Sequence, residues 1–339
     1  MALSEAPTQS PHYRIGIVGS GAIGGHFAAR LARTGHQVSM LARGRTLDNL
    51  RQFGLRYHCA DGQFTLPVHT AASTTELGAQ DLVILALKGQ SLPDVADTLA
   101  PMIDPHSTVL TVGNGLPWWY FLVPGLATPV LHLRSADPHG KLERAIALPQ
   151  VLGGTVFASC HCPEPGLVVH SSGARVIVGE PTGELSARAR IWAGVFAEAG
   201  LGGQASTHIR RDIWIKLLGN ACFNPMSLLT QTSTDQLLAD PALEQLVMRL
   251  MRECISLSYA FGLDLQLDPV QRVAHTRQLG AIKTSMLQDL EAGRSVELDP
   301  ILGTLLECAD AIGHPMPHLA SLHALACGRA RQAGLYPVR

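Results

Sequence analysis

The hexapeptide Gly19-Ser20-Gly21-Ala22-Ile23-Gly24 constrains this chain more than any other segment. It directly follows Ile15-Gly16-Ile17-Val18, a run apolar enough for a buried strand. It opens the stretch Ala22–Thr34, where Ile23, Phe27 and Leu31 recur at helical spacing before a terminating Gly35. In that setting the three glycines have separate tasks. The first permits a tight turn, the second lets a pyrophosphate approach the backbone, and the third lets helix and strand pack closely. The helix N-terminus then turns its free N–H groups toward the phosphates. With 33 glycines in 339 residues the bare spacing would mean little. Its place between strand and helix makes it a dinucleotide signature, and Gly19 through Gly24 are expected to bind the cofactor.

The rest of the first half repeats the alternation. Arg14–Val18, Val38–Leu41, Asp81–Leu87 and Thr108–Val112 read as buried strands, with further strand-like runs at Val151–Ala158 and Ala174–Val178 before the amphipathic Leu185–Ala199. Fully apolar strands alternating with helices predict a doubly wound parallel sheet. After residue 208 the strand signals stop, and Pro241–Phe261, Pro269–Ala292, Pro300–Ile312 and Pro317–Cys327 read as helices bounded by Pro and Gly. The predicted fold is an α/β Rossmann-type doubly wound sheet over 13–207, followed by an all-α domain over 208–339 and preceded by a flexible tail over 1–12. A ligand cleft is expected between the two domains.

Several function classes are excluded at this stage. With 26 basic and 27 acidic residues the chain has no global attraction for nucleic acid or an acidic membrane. The stretch from Pro105 to Leu133 lacks Asp, Glu, Lys and Arg, yet seven Gly, Pro and Asn residues interrupt it. A lipid-exposed helix could not satisfy its backbone through such breaks, so the stretch reads as strand, tight loop, short helical turn and second strand. The N-terminus has no apolar signal region, and seven scattered cysteines fit a reducing compartment, so the cytoplasm is expected. Cys160-His161-Cys162, with His170 nearby, has no second ligand pair at finger or ribbon spacing, so no metal site is expected.

Cofactor choice is read at the end of the second strand, where NAD enzymes usually carry an acid for the ribose hydroxyl. Here the residues are Leu41-Ala42-Arg43-Gly44-Arg45; Arg43 suits the 2′-phosphate of NADP(H). Lys88 and Asn114 end the next two strands at the edge where open α/β sheets bind ligands, and both are expected at the cofactor. The most informative helix is Ile213–Leu229, apolar almost all round and so expected to be buried. Lys216, Asn220 and Asn224 are spaced by four and stack within about 80° of one face. A solvated stripe would carry several charges; this one carries a single cation and two amides, as a site facing a cleft would.

These residues resemble the ketopantoate reductase family (2-dehydropantoate 2-reductases). The resemblance runs from Tyr13 to Gly334 and rests on the Gly motif, Lys88, Asn114-Gly115 and the Lys-x3-Asn-x3-Asn-Pro run at 216–225. It rests also on Ser285-Met286-Leu287-Gln288-Asp289 and on Glu297 in Val-Glu-Leu-Asp. It implies hydride transfer from NADPH to a small-molecule 2-oxo acid. By resemblance Lys216 is the general acid, Glu297 the acid that steadies it, and Asn114, Asn220, Asn224 and Ser285 substrate or cofactor contacts. A homodimer is left open.

Three departures surround the expected substrate. Thr234 stands where many members have a substrate-binding Asn, Ile282 replaces another, and Asn114-Gly115 is followed by Leu116-Pro117-Trp118-Trp119-Tyr120-Phe121. That run is expected beside the nicotinamide, walling the pocket. Two other readings stay open: a dehydrogenase of the same family acting on a bulkier 2-hydroxy or 2-oxo acid, and a non-catalytic NADP-binding sensor.

Overall fold

The Gly-rich hexapeptide does lie between a strand and a helix: β1 (Arg14–Val18) is buried apart from its first residue, and α1 (Ala22–Arg33) starts three residues after Gly19. The structure, a computed structural model, describes residues 12–337. The tail expected over 1–12 lies, apart from His12, outside the described residues. The chain continues through β2 (Gln37–Leu41), α2 (Gly44–Phe53), β3 (Leu55–Cys59), β4 (Gly62–Leu66), β5 (His69–Ala71), β6 (Leu82–Leu85) and α3 (Leu92–Val95). Then come β7 (Thr108–Thr111), α4 (Lys141–Ala145), β8 (Val151–Glu164), β9 (Leu167–Gly179), α5 (Ala187–Glu198) and β10 (Gly203–Ala205).

Strands β5, β2, β1, β6, β7 and β8 lie side by side in that order, all parallel. The winding reverses between β1 and β6, and ligands bind doubly wound sheets at such a reversal. Val18 is level with Leu41 and with Leu85, and Leu85 with Thr111. The loops that follow these four strands therefore leave the sheet at one edge, carrying Gly19, Arg43, Lys88 and Asn114.

Beyond β8 the sheet departs from simple double winding. The two short runs expected at 151–158 and 174–178 are parts of a long antiparallel hairpin, β8–β9, which turns at Pro165-Gly166 with Gly166 at φ 80. Apart from Val168 its outer half is exposed or half-buried, so no continuous apolar run marks it. β9 also pairs with β3, which pairs with β4, and this mixed portion curls the sheet into a half-barrel around α1. Gly25 is the closest point of that wrap: a Cβ there would come 2.5 Å from Val168 Cγ2.

The remainder is helical: α6 (Ile209–Thr230), α7 (Thr234–Ala239), α8 (Pro241–Ala260), α9 (Pro269–Gln278), α10 (Ser285–Glu291), a π-helical turn at Asp299–Gly303, α11 (Thr304–Ile312) and α12 (Pro317–Gln332). Two sequence expectations need correction. Pro269–Ala292 is not one helix: Gly280 at φ 74 breaks it, and Thr284 caps a new one by accepting from Leu287 N. The second strand expected before Leu133 is absent among the described residues. Pro124, Gly125 and Pro129 leave that segment in turns, since proline has no N–H for a ladder. No helix of the described residues is long and apolar enough to cross a membrane. One hydrophobic core runs from β6 and β7 through residues 116–121 into α6, α8, α11 and α12, while a second fills the space between the sheet, α1 and α5.

Candidate active site

The glycine loop has the shape its sequence demands. Gly19 is at φ 116, and a Cβ there would fall 2.7 Å from the Ala86 backbone; at Gly24 it would overlap the Gly19 carbonyl. Over Gly21 nothing lies within 4 Å, and the first turn of α1 has no acid to cancel its positive end. Ser20, Ala22 and Ile23 complete the rim, half-buried. At the neighbouring strand end Arg43 forms the N-terminal boundary of α2. It is exposed and makes no hydrogen bond or ion pair with any of the described residues.

Across the cleft, Pro300 is the wedge that assembles the remaining groups. A Cβ on Gly89 would lie 2.6 Å from Pro300 Cγ, and one on Gly115 would overlap the Pro300 carbonyl, so two glycines after two strands admit one turn from the helical half. Gly115, at φ 91, needs glycine for its backbone as well. The wedge brings in Glu297. This buried carboxylate accepts from Gly89 N at 2.9 Å and from Asn114 Nδ2 at 2.9 Å. Asn114 Oδ1 in turn accepts from Asn220 Nδ2 at 3.2 Å on α6. Burial pushes the Glu297 pKa up, opposed by those two donors and by the Lys88 charge.

One turn before Asn220 stands Lys216. Its side chain is half-buried, with no hydrogen bond or ion pair to any described residue. Burial pulls its pKa down to about 8, and the negative charge of Glu297 limits the fall. Glu297 therefore acts on Lys216 through charge across the cleft; its hydrogen bonds go to Asn114 and Gly89. One turn further on, Asn224 is buried and its Nδ2 donates to Ser285 Oγ at 3.4 Å, at the exposed first residue of α10. Hydrogen bonds thus join Glu297, Asn114 and Asn220 in one row and Asn224 to Ser285, with Lys216 one turn before Asn220 on the same helix. An ammonium and three amides on neighbouring elements form a donor set of the kind that holds an oxygen gaining negative charge.

Lys88 stands at the same edge but is engaged elsewhere: its Nζ pairs with Asp289 Oδ2 at 2.8 Å and donates to Ser295 O at 2.6 Å. Asp289 also pairs with Arg294 Nε at 2.9 Å. Sequence reasoning quoted Asp289 within a motif without giving it a task. Its signal was a carboxylate on the buried side of an amphipathic helix, where an unpaired charge is costly.

The aromatic run is placed differently from the expectation. Trp118, Trp119, Tyr120 and Phe121 are all buried. Trp119 Nε1 donates to Thr111 Oγ1 at 3.1 Å, Tyr120 Oη donates to the Arg210 carbonyl at 2.7 Å, and Phe121 packs against Phe261. These residues bind the loop after β7 to α6 and α8. Trp118 lines a cavity together with Asn114, Ile213 and Pro300; Lys216, Asn220, Asn224, Ser285 and Glu297 are not in its wall. The two substituted positions meet each other: Thr234 N donates to Ile282 O at 3.0 Å, and Ile282 N to Thr234 Oγ1 at 3.4 Å. Thr234 thus fastens the loop before Ser285.

Residues 15–119 match the family described as Ketopantoate reductase PanE/ApbA, and residues 208–330 its C-terminal counterpart. A 2-dehydropantoate 2-reductase of Mesorhizobium japonicum is 38% identical over 325 residues, covering 95% of this chain and 99% of the relative. Among solved structures, a candidate ketopantoate reductase from Ralstonia solanacearum superposes with TM-score 0.91 at 40% identity, over 96% of this chain and 100% of the other. The 2-dehydropantoate 2-reductase of Geobacter metallireducens superposes at 0.82 with 29% identity, over 92% and 98%.

Proposed function

The chain belongs to the ketopantoate reductase family, and on that premise we propose that it reduces the ketone of a 2-oxo acid, 2-dehydropantoate or a close analogue, with NADPH as cofactor and Lys216 as proton donor. The observation that carries this reading is Lys216, a lone ammonium on a buried helix with its pKa drawn down to about 8, one turn from an amide row anchored by Glu297. A non-catalytic binder has no use for such a group.

The glycine cradle suits a pyrophosphate, since it is open over Gly21 at the positive end of α1. Gly19 to Gly24 would hold the diphosphate and Arg43 the 2′-phosphate, with Lys88 and Asn114 toward the nicotinamide half. When bound, the nicotinamide supplies the hydride that the carbonyl carbon receives. Asn220 and Asn224 orient the substrate, and Ser285 hydrogen-bonds its polar end. The Lys216 ammonium gives its proton to the carbonyl oxygen as charge develops there, completing the 2-hydroxy acid. Glu297 keeps the lysine protonated and Asn114 in place. In this reading 13–207 binds the cofactor and 208–339 supplies the lysine. Seven cysteines scattered along the chain without a regular framework suit a reducing, cytoplasmic setting.

Purified protein should oxidise NADPH in the presence of 2-dehydropantoate. Lys216→Ala should lower turnover about 10²- to 10⁴-fold, the range of a general acid, while retaining NADPH affinity. Turnover equal to the parent's would overturn the assignment of Lys216. Failure to oxidise NADPH with any 2-oxo acid, small or large, would overturn the reductase reading.

A further inference from the structure

Between α1 and the β8–β9 hairpin, the fold gathers three metal-ligating side chains that no part of the reductase chemistry uses. Cys160 on β8 and His170 on β9 are direct cross-strand partners, so both project from the same face of the hairpin. His26, on the second turn of α1, comes to meet them: its ring stacks on His170 with centroids 4.5 Å apart at 26°. One ligand atom from each of the three lies within 4.8 Å of the other two.

The surroundings prepare these side chains to coordinate. His170 Nε2 lies 2.6 Å from the Gly173 carbonyl, which can only accept, so the proton is on Nε2 and the Nδ1 lone pair is free. His26 Nδ1 lies 2.9 Å from Tyr57 Oη, which also accepts from Arg30 Nε at 3.1 Å. Tyr57 Oη can accept from or donate to Nδ1; in the Nδ1–H tautomer His26 keeps the Nε2 lone pair, the form that a metal bound at Nε2 selects. Each imidazole thus has one nitrogen anchored by a partner outside the cluster, as in metal sites whose histidines are oriented by outer partners. As mere packing the arrangement is expensive, because three polar side chains occupy a helix–sheet contact that Val or Leu would fill. The nearby Arg30 charge is answered by Asp61 at 3.0 Å.

We propose that His26, Cys160 and His170 bind one divalent cation of the zinc class, with water as fourth ligand, and that the ion ties the β8–β9 hairpin to α1. Two imidazoles and a thiolate are a zinc-type donor set, and ligands closing by about 1 Å would reach tetrahedral spacing. Cys160 and His170 are half-buried, which leaves a route for the ion. The thiol gives up its proton to solvent as the metal–sulfur bond forms. From the sequence only Cys160 and His170 were visible as ligands; His26 lies more than a hundred residues away and reaches them because the sheet curls around α1.

The full chain, stripped with a chelator, can be titrated with Co²⁺, whose thiolate charge-transfer absorption reports sulfur ligation. One equivalent should bind with that absorption, and Zn²⁺ should displace it and raise the unfolding temperature. Cys160→Ser should abolish the absorption, and His170→Ala should weaken binding by more than about tenfold. His161→Ala, on the opposite face of β8, should change neither. If Cys160→Ser does not fold, His170→Ala carries the test. Absence of saturable Co²⁺ binding, a thiolate band surviving in Cys160→Ser, unweakened binding in His170→Ala, or loss in His161→Ala would each overturn the site.

Discussion

Lys216 and Glu297 form a pair at a distance, and that arrangement sets a pH dependence. The lysine must be protonated to act as an acid, and burial brings its pKa to about 8, so turnover should fall as pH rises through that value. Glu297 opposes the fall by its charge. Glu297→Gln removes the charge but keeps a group able to accept from Gly89 and Asn114, and it should move the alkaline limb to lower pH. A pH profile of turnover checks this; a limb that stays in place would show that the carboxylate does not govern the lysine. Arg43 belongs to the same scale. It is exposed and unpaired among the described residues, so Arg43→Ala should leave folding intact. Losing a charge-assisted contact should weaken NADPH binding roughly tenfold or more and leave NADH binding unchanged. Titrating both nucleotides separates that outcome from a general loss of the cleft.

At the level of elements, the loop after β7 was the hardest to read. Its composition pointed to a pocket wall, yet Trp119 and Tyr120 are spent on packing, each with its polar atom satisfied by Thr111 or Arg210. Trp119→Ala should therefore cost about 3–5 kcal/mol of stability, as large aromatic truncations in cores do, and Tyr120→Phe only about 1 kcal/mol for one hydrogen bond. Denaturant unfolding measures both, and a Trp119→Ala protein as stable as the parent would return the run to the pocket. Local pattern sufficed where an element is encoded locally. The strand before Gly19, the polar face of α6 and the Pro-opened α8 were all legible from periodicity and punctuation. The β8–β9 hairpin was not, because half of it faces solvent. The Pro300 wedge was not, because its fit depends on two glycines, Gly89 and Gly115, about two hundred residues away. A close approach between distant backbones leaves glycine as its only trace, and one glycine among 33 announces nothing.

Across the whole molecule, the sheet part and the helical part do not keep separate cores. Val83, Leu85 and Val109 of the sheet share one buried cluster with Trp119, Trp214, Leu250 and Leu305. The contact is extended by the Glu297 bonds to Gly89 and Asn114 and by the Lys88–Asp289 pair, both of which cross from one part to the other. Two parts joined only by a polar interface would unfold in two steps, the weaker first. A shared apolar core couples them, because exposing it costs both at once. Thermal unfolding should therefore be a single transition, coincident by far-ultraviolet circular dichroism, which follows the helices, and by tryptophan fluorescence, in which Trp118, Trp119 and Trp214 report the seam and Trp192 the core under the sheet. NADPH, held at the sheet edge, should raise that one midpoint for the helical part as well, since a ligand bound only to the native state stabilises everything that unfolds with its site. Non-coincident curves, or a midpoint that rises by fluorescence and not by circular dichroism, would mean that the seam opens before the helices melt, and that the cleft is closed by its polar bonds and not by the core beneath it.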